Sequence, residues 1–126
     1  MECVKRLLVA DASQEFRCHL VESFQNEPDM EVVAVAGDGA TALRLTREYR
    51  PDVIVMDITM PDMNGIAMFD QLVRRDLTAR LPVIFLTGHG DVPMAVDSLK
   101  RGAFDFFEKP FIYKNIILYL SIYNTF

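Results

Sequence analysis

The sequence predicts an α/β domain in which a parallel sheet of five strands carries helices on both faces. Three observations lead there. Short apolar runs recur along the chain, segments of helical period lie between them, and the runs are almost continuously apolar instead of alternating. Parallel strands need a crossover connection, and strands apolar on both sides need cover on both faces, so a doubly wound sheet satisfies the pattern.

The first strand is expected at Leu7–Ala10, within "LLVADASQEFR", which runs into Asp11 and then a polar helix-start pattern. A helix follows with Phe16, Leu20, Val21 and Phe24 on one face, closed by Pro28–Asp29. The second strand spans Glu31–Ala36 and ends in the turn Gly37–Asp38–Gly39. Ala42, Leu43 and Leu45 mark the second helix, which Arg50–Pro51 stops. Val53–Met56 is the third strand, and Ile66, Phe69, Leu72 and Val73 give the third helix after Asn64–Gly65. Pro82–Leu86 is the fourth strand, with Gly88–His89–Gly90 turning into a helix marked by Val92, Val96 and Leu99. Phe104–Phe107 is the fifth strand, followed after Lys109–Pro110 by a helix with Ile112, Ile116, Ile117 and Leu120. Nothing after Lys114 is charged, which fits a last helix packed on the sheet with a frayed end, or else a self-association surface or a truncated chain.

A chain of 126 residues, 51% of them hydrophobic, suits one compact domain spanning 1–126, with no output domain. The formal charge of −5 argues against a general nucleic-acid surface. Cys3 and Cys18 have neither metal-type nor redox-type spacing and are expected to be reduced, buried small hydrophobes. No uncharged run approaches the roughly 20 residues that span a bilayer, and a cytoplasmic location is expected.

In open α/β sheets ligands collect at the carboxyl ends of the strands. The residues just after the first, third, fourth and fifth runs are Asp11, Asp57, Thr87 and Lys109. Two carboxylates brought together repel unless a cation such as Mg²⁺ lies between them, and a hydroxyl and an ammonium at the same rim complete a phosphoryl clamp. Taken singly, Asp11 serves equally well as an ordinary acceptor at a helix start, Thr87 as a turn hydroxyl and Lys109 as a solvated loop charge. Asp57 does not reduce so easily, because a fully apolar strand delivers it directly. Other motifs fail on spacing. "MPDMNG" would put Met60 and Gln71 at the ends of a calcium loop, and "GDG" and "GHG" are too short for a dinucleotide fingerprint. An acidic residue after the first strand repels the phosphate of a flavin nucleotide, and an aspartyl phosphatase would need an acid where Thr59 stands. His89, with no paired base, reads as a rim residue that tunes access of water.

The segments "LLVAD", "PDVIVMDITMPDMNG", "PVIFLTGHGDVPMAV" and "GAFDFFEKPF", in this order and at fitting separations, resemble the receiver domains of two-component response regulators over essentially the whole chain. The resemblance implies a flavodoxin-like strand order 2-1-3-4-5. It implies that Asp57 is the phosphoacceptor for a sensor histidine kinase, that Thr87 moves onto the phosphoryl group, that Lys109 pairs with it and that Phe106 is the switch aromatic. Mg²⁺ would be held by Asp11, Asp57 and the backbone carbonyl of Thr59. The chain is then no enzyme but a phosphoacceptor that assists its own phosphorylation and dephosphorylation. The fourth helix, fifth strand and last helix form the expected partner or homodimer face, with Met94, Lys100 and Arg101 as candidates on it. "TGHGDVPMAV" is similar to receivers that precede transcription-activating or DNA-binding domains, but no helix-turn-helix is present, so a stand-alone or excised N-terminal domain with no nucleic-acid or membrane binding of its own is expected.

Receivers typically end the first strand with two adjacent acids, and here the second is Ala12. Three readings follow. Mg²⁺ binds more weakly through Asp11, Asp57 and the Thr59 carbonyl with an extra water; the site has lost metal-dependent phosphorylation and the domain is a phosphorylation-independent interaction module; or Glu15, a turn further on, reaches in.

Overall fold

The computed structural model describes residues 4–58, 60, 62, 67, 70, 71, 83–87, 92–100, 103, 105–108, 117 and 120. The strands are β1 (Lys5–Ala10), β2 (Met30–Ala36), β3 (Val53–Asp57), β4 (Val83–Thr87) and β5 (Asp105–Glu108). They pair in parallel in the order β2-β1-β3-β4-β5, as expected. The helices are α1 (Gln14–Gln25), α2 (Gly39–Tyr49) and α3 (Val92–Lys100), the last being the fourth helical segment of the sequence. Of the third segment, Ile66 to Val73, Ala67, Asp70 and Gln71 are described, all helical, while its apolar markers Ile66, Phe69, Leu72 and Val73 lie outside the described residues. Among the described residues no helix is long and apolar enough to cross a membrane.

Strand periodicity splits the core into two layers. Leu8, Ala10, Ile54, Met56, Val83 and Phe85 pack with Ala42 and Leu43 of α2 and Ala95 of α3 on one face. Leu7, Val9, Val53, Val55, Ile84 and Leu86 pack with Leu20 and Phe24 of α1 on the other, where Leu120 is also buried. Every second side chain thus faces the same layer, and each large aliphatic removed from water contributes about 1.5–3 kcal/mol. Leu120, whose carbonyl accepts a hydrogen bond from the Lys5 ammonium, and Ile117, packed against the same cluster, both lie on this face of the sheet.

Helix α1 starts where Ser13 caps it, its hydroxyl accepting from the Phe16 N–H at 3.2 Å. Phe16, Leu20 and Phe24 recur every fourth residue and face the sheet. Cys18 lies about 200° around the helix from Leu20, and it is a free, exposed thiol instead of the buried one expected. Cys3 lies outside the described residues. Helix α2 is capped by Asp38, whose Oδ1 accepts from Thr41 N–H at 2.7 Å. It ends on Arg50 in the left-handed region at φ 47°, where the Arg6 guanidinium donates to the carbonyls of Tyr49 and Arg50 at 2.8 and 2.9 Å.

Helix α3 seats differently from its apolar pattern. Val96 and Leu99 are 41% and 37% exposed, and among the described side chains of the helix Ala95 is the fully buried one, in the same cluster as Phe85 and Ala103. With a phenylalanine ring filling the layer beneath, a methyl-sized residue lets the helix backbone come close to the sheet.

Candidate functional site

The chain leaves β1 toward β2 through α1 on one face, and reaches β3 on the other side of β1 through α2 on the opposite face. The crevice between the carboxyl ends of β1 and β3 is therefore the topological switch point, where a ligand is not blocked by a crossing connection. Asp11 and Asp57 stand on its two sides. Ala10 of β1 is in register with Met56 of β3, so the next residue on each strand is one of these aspartates. Neighbouring strands lie about 4.8 Å apart. Asp11 is 0% and Asp57 8% exposed.

The expected strand ends are each exceeded by one residue at β3 and β4. Asp57 pairs with Leu86 and Thr87 with Glu108, so the ladder continues through both polar residues. The Ile58 N–H donates to the Leu86 carbonyl at 2.9 Å, stitching the backbone immediately after Asp57. Thr87 is fully buried at the end of β4, next to β3 in the sheet. The structure thus brings Asp11, Asp57 and Thr87 to one rim. Lys109 and Thr59 lie outside the described residues, as do His89 and Arg101, while Met94 is described only by its place in α3. Lys100 is exposed at the end of α3. Phe106 of β5 is in register with Phe85 and packs, partly buried, against the core layer that contains Phe85 and Met56.

Asp11 is oriented by its own turn. Its backbone N–H donates to the Ala36 carbonyl at 3.1 Å, and its Oδ1 accepts from the Ser13 N–H at 2.9 Å. The helix-start role therefore falls to Ser13, with Asp11 bracing the turn before it. Ala12 is exposed and contributes no donor group, and Glu15, in the first turn of α1, is exposed too. Among the described residues no group of three His, Cys, Asp or Glu is arranged to hold a metal. The donor set is two buried carboxylates at neighbouring strand ends, which fits a hard dication bound mostly by oxygen from water and phosphate.

Asp62 was invisible as a site-shaping residue in the sequence, because its partners are more than twenty positions away. Its carboxylate accepts from the N–H groups of Gly39 at 2.8 Å and Ala40 at 3.0 Å, adding a second anion to the N-terminus of α2 beside Asp38. The loop that follows Asp57 is thereby tied to the start of α2. Asp62→Ala is expected to lower stability by about 1 kcal/mol, read as a reduced urea midpoint at unchanged slope.

Residues 7–121 match the family described as response regulator receiver domain. The chain is 38% identical to the chemotaxis protein CheY of Listeria monocytogenes over 108 residues, covering 86% of this chain and 87% of that protein. It is 49% identical over 69 residues to the transcriptional regulatory protein FixJ of Rhizobium meliloti, covering 55% of this chain and 33% of that longer protein. Among solved structures, the receiver domain of AraT from Geobacillus stearothermophilus superposes with a TM-score of 0.83 at 30% identity, covering 94% of this chain and 92% of that one.

Proposed function

The chain belongs to the response regulator receiver domain family, and from that premise we propose that it is a phosphorylation-operated switch with Asp57 as its phosphoacceptor. The observation that carries the proposal is the pair Asp11 and Asp57, buried side by side at the β1/β3 switch point. An Asp57 carboxylate oxygen attacks phosphorus while the bond from phosphorus to the donor breaks: nitrogen in a sensor kinase phosphohistidine, oxygen in a small acyl phosphate. The product is an aspartyl phosphate. Mg²⁺ would be held by Asp11, Asp57 and the Thr59 carbonyl and would offset charge on the transferring group. Burial keeps competing water from the nucleophile, and fixed groups at the rim orient the donor, so positioning and electrostatics supply most of the rate.

The dianionic phosphoryl group then recruits the Thr87 hydroxyl and the Lys109 ammonium as charge-assisted partners. Movement of Thr87 vacates space toward β5, into which Phe106 rotates, and the face built from α3, β5 and the last helix changes shape. Val96 and Leu99, exposed apolar residues of α3, would lie on that partner or homodimer face, beside Lys100. The 49% identity to FixJ over 69 residues supports an output in transcription control.

Ala12 supports a second reading, a receiver that works by constitutive contacts without metal or phosphate. The two separate on a Mg²⁺ titration of acetyl phosphate labelling, followed by intact mass, in the wild type and in Ala12→Asp. The switch reading expects both to be labelled, with the variant reaching half-maximal labelling at about tenfold lower Mg²⁺, equivalent to about 1.4 kcal/mol of binding. Labelling of the variant alone would establish the second reading.

A further inference from the structure

Asp11 is held by its own turn, and the turn is held by Arg17. The Arg17 guanidinium, through Nη1, donates to the Asp11 carbonyl at 2.6 Å and approaches the Ala12 carbonyl at 3.4 Å. It lies against Gly37, the residue after β2, so closely that a Cβ built there would stand 2.9 Å from Nη1 and 3.4 Å from Cζ. The three nearest atoms to that position all belong to Arg17, and Gly37 does not occupy the left-handed backbone region. Glycine is therefore not required there by the backbone. What a side chain there would displace is the guanidinium. Ala36, just before it, accepts the hydrogen bond from the Asp11 N–H, so Arg17 closes a small unit in which the end of β2 and the turn after β1 support each other.

We propose that Arg17, seated on Gly37, is the positioning residue for the Asp11 carboxylate. By holding the carbonyls of Asp11 and Ala12 it sets the turn in which the Ser13 N–H binds Asp11 Oδ1. Because position 12 carries no acid, Asp11 is the carboxylate that this turn delivers to the rim, and its orientation weighs more than it would with a neighbouring carboxylate beside it. The proposal rests on the function given above for what the orientation serves, but the geometric claim stands without metal or phosphate.

Gly37→Ala tests it cleanly. The added methyl meets the far end of a flexible side chain, and the open groove of about 440 Å³ between α1 and β2, which Arg17 lines with Cys18, Val21 and Val35, gives the displaced guanidinium somewhere to go. The charge stays and the carbonyl contacts are lost. The first readout is exchange of the Ser13 amide in metal-free protein, expected to accelerate about tenfold in Gly37→Ala and in Arg17→Ala, with the double variant no faster than Arg17→Ala alone. The second is Mg²⁺ dependence of labelling, with half-saturation shifted severalfold upward in each variant and the rate at saturating Mg²⁺ preserved. Ser13 exchange unchanged in both single variants overturns the proposal. So do additive effects in the double variant, or tighter Mg²⁺ binding in Arg17→Ala, which would make the guanidinium a repelling charge instead of a brace. A wild type that is never labelled defeats the functional reading alone, because Ser13 exchange is read without Mg²⁺.

Discussion

Asp57→Asn is expected to leave the chain at its unmodified mass after incubation with acetyl phosphate and Mg²⁺, under conditions that add one phosphoryl group to the wild type. The amide nearly matches the carboxylate in shape but is a far poorer nucleophile and carries no charge for a cation. Its backbone still pairs with Leu86, and the Ile58 N–H still bonds the Leu86 carbonyl, so the end of β3 stays in place. Burying two carboxylates at adjacent strand ends costs solvation that an amide does not demand. The variant is therefore expected to be as stable as the wild type or more stable by about 1 kcal/mol. Intact mass and urea unfolding on one preparation check both halves. Label retained elsewhere in the chain would move the acceptor.

Phe85→Ala is expected to do the reverse, costing about 3–5 kcal/mol of stability while the folded fraction keeps its chemistry. Phe85 is fully buried in the middle of β4, in register with Met56 on one side and Phe106 on the other, and it belongs to the layer that Ala95 and Ala103 complete. Removing the ring leaves a cavity between sheet and helix that surrounding alanines are too small to fill. Domains of this kind have about 5–15 kcal/mol in all, so the loss is a large share. Urea unfolding followed by circular dichroism should show a much lower midpoint at unchanged slope. A shift under 1 kcal/mol would mean that α3 collapses onto the sheet, contrary to the close packing inferred around Ala95.

The sheet was legible because each strand is a compact apolar run, and its rim was legible because polar residues follow those runs abruptly. "VIVMD" is the clearest case. Strand ends were off by a residue where a polar side chain still belongs to the ladder, as at Asp57 and Thr87. In α3 two of the expected apolar markers, Val96 and Leu99, are exposed, whereas Ala95 is buried in the cluster that contains Phe85. Cys18 was misplaced because average cysteine burial says nothing about which side of α1 faces the sheet, whereas the spacing of Phe16, Leu20 and Phe24 does. Asp62 and the Arg17–Gly37 contact were out of reach, since both join residues about twenty positions apart whose proximity is created only when β1, β2 and β3 assemble.

Asp11 and Asp57 are expected to support a working acceptor site although Ala12 stands beside Asp11. The most direct measurement is peptide mapping of wild-type protein treated with acetyl phosphate, with and without Mg²⁺. The expected result is a phosphoryl group on the peptide containing Asp57, present with Mg²⁺ and largely absent without it. A wild type that stays unlabelled at high Mg²⁺, or carries its label away from Asp57, would contradict it.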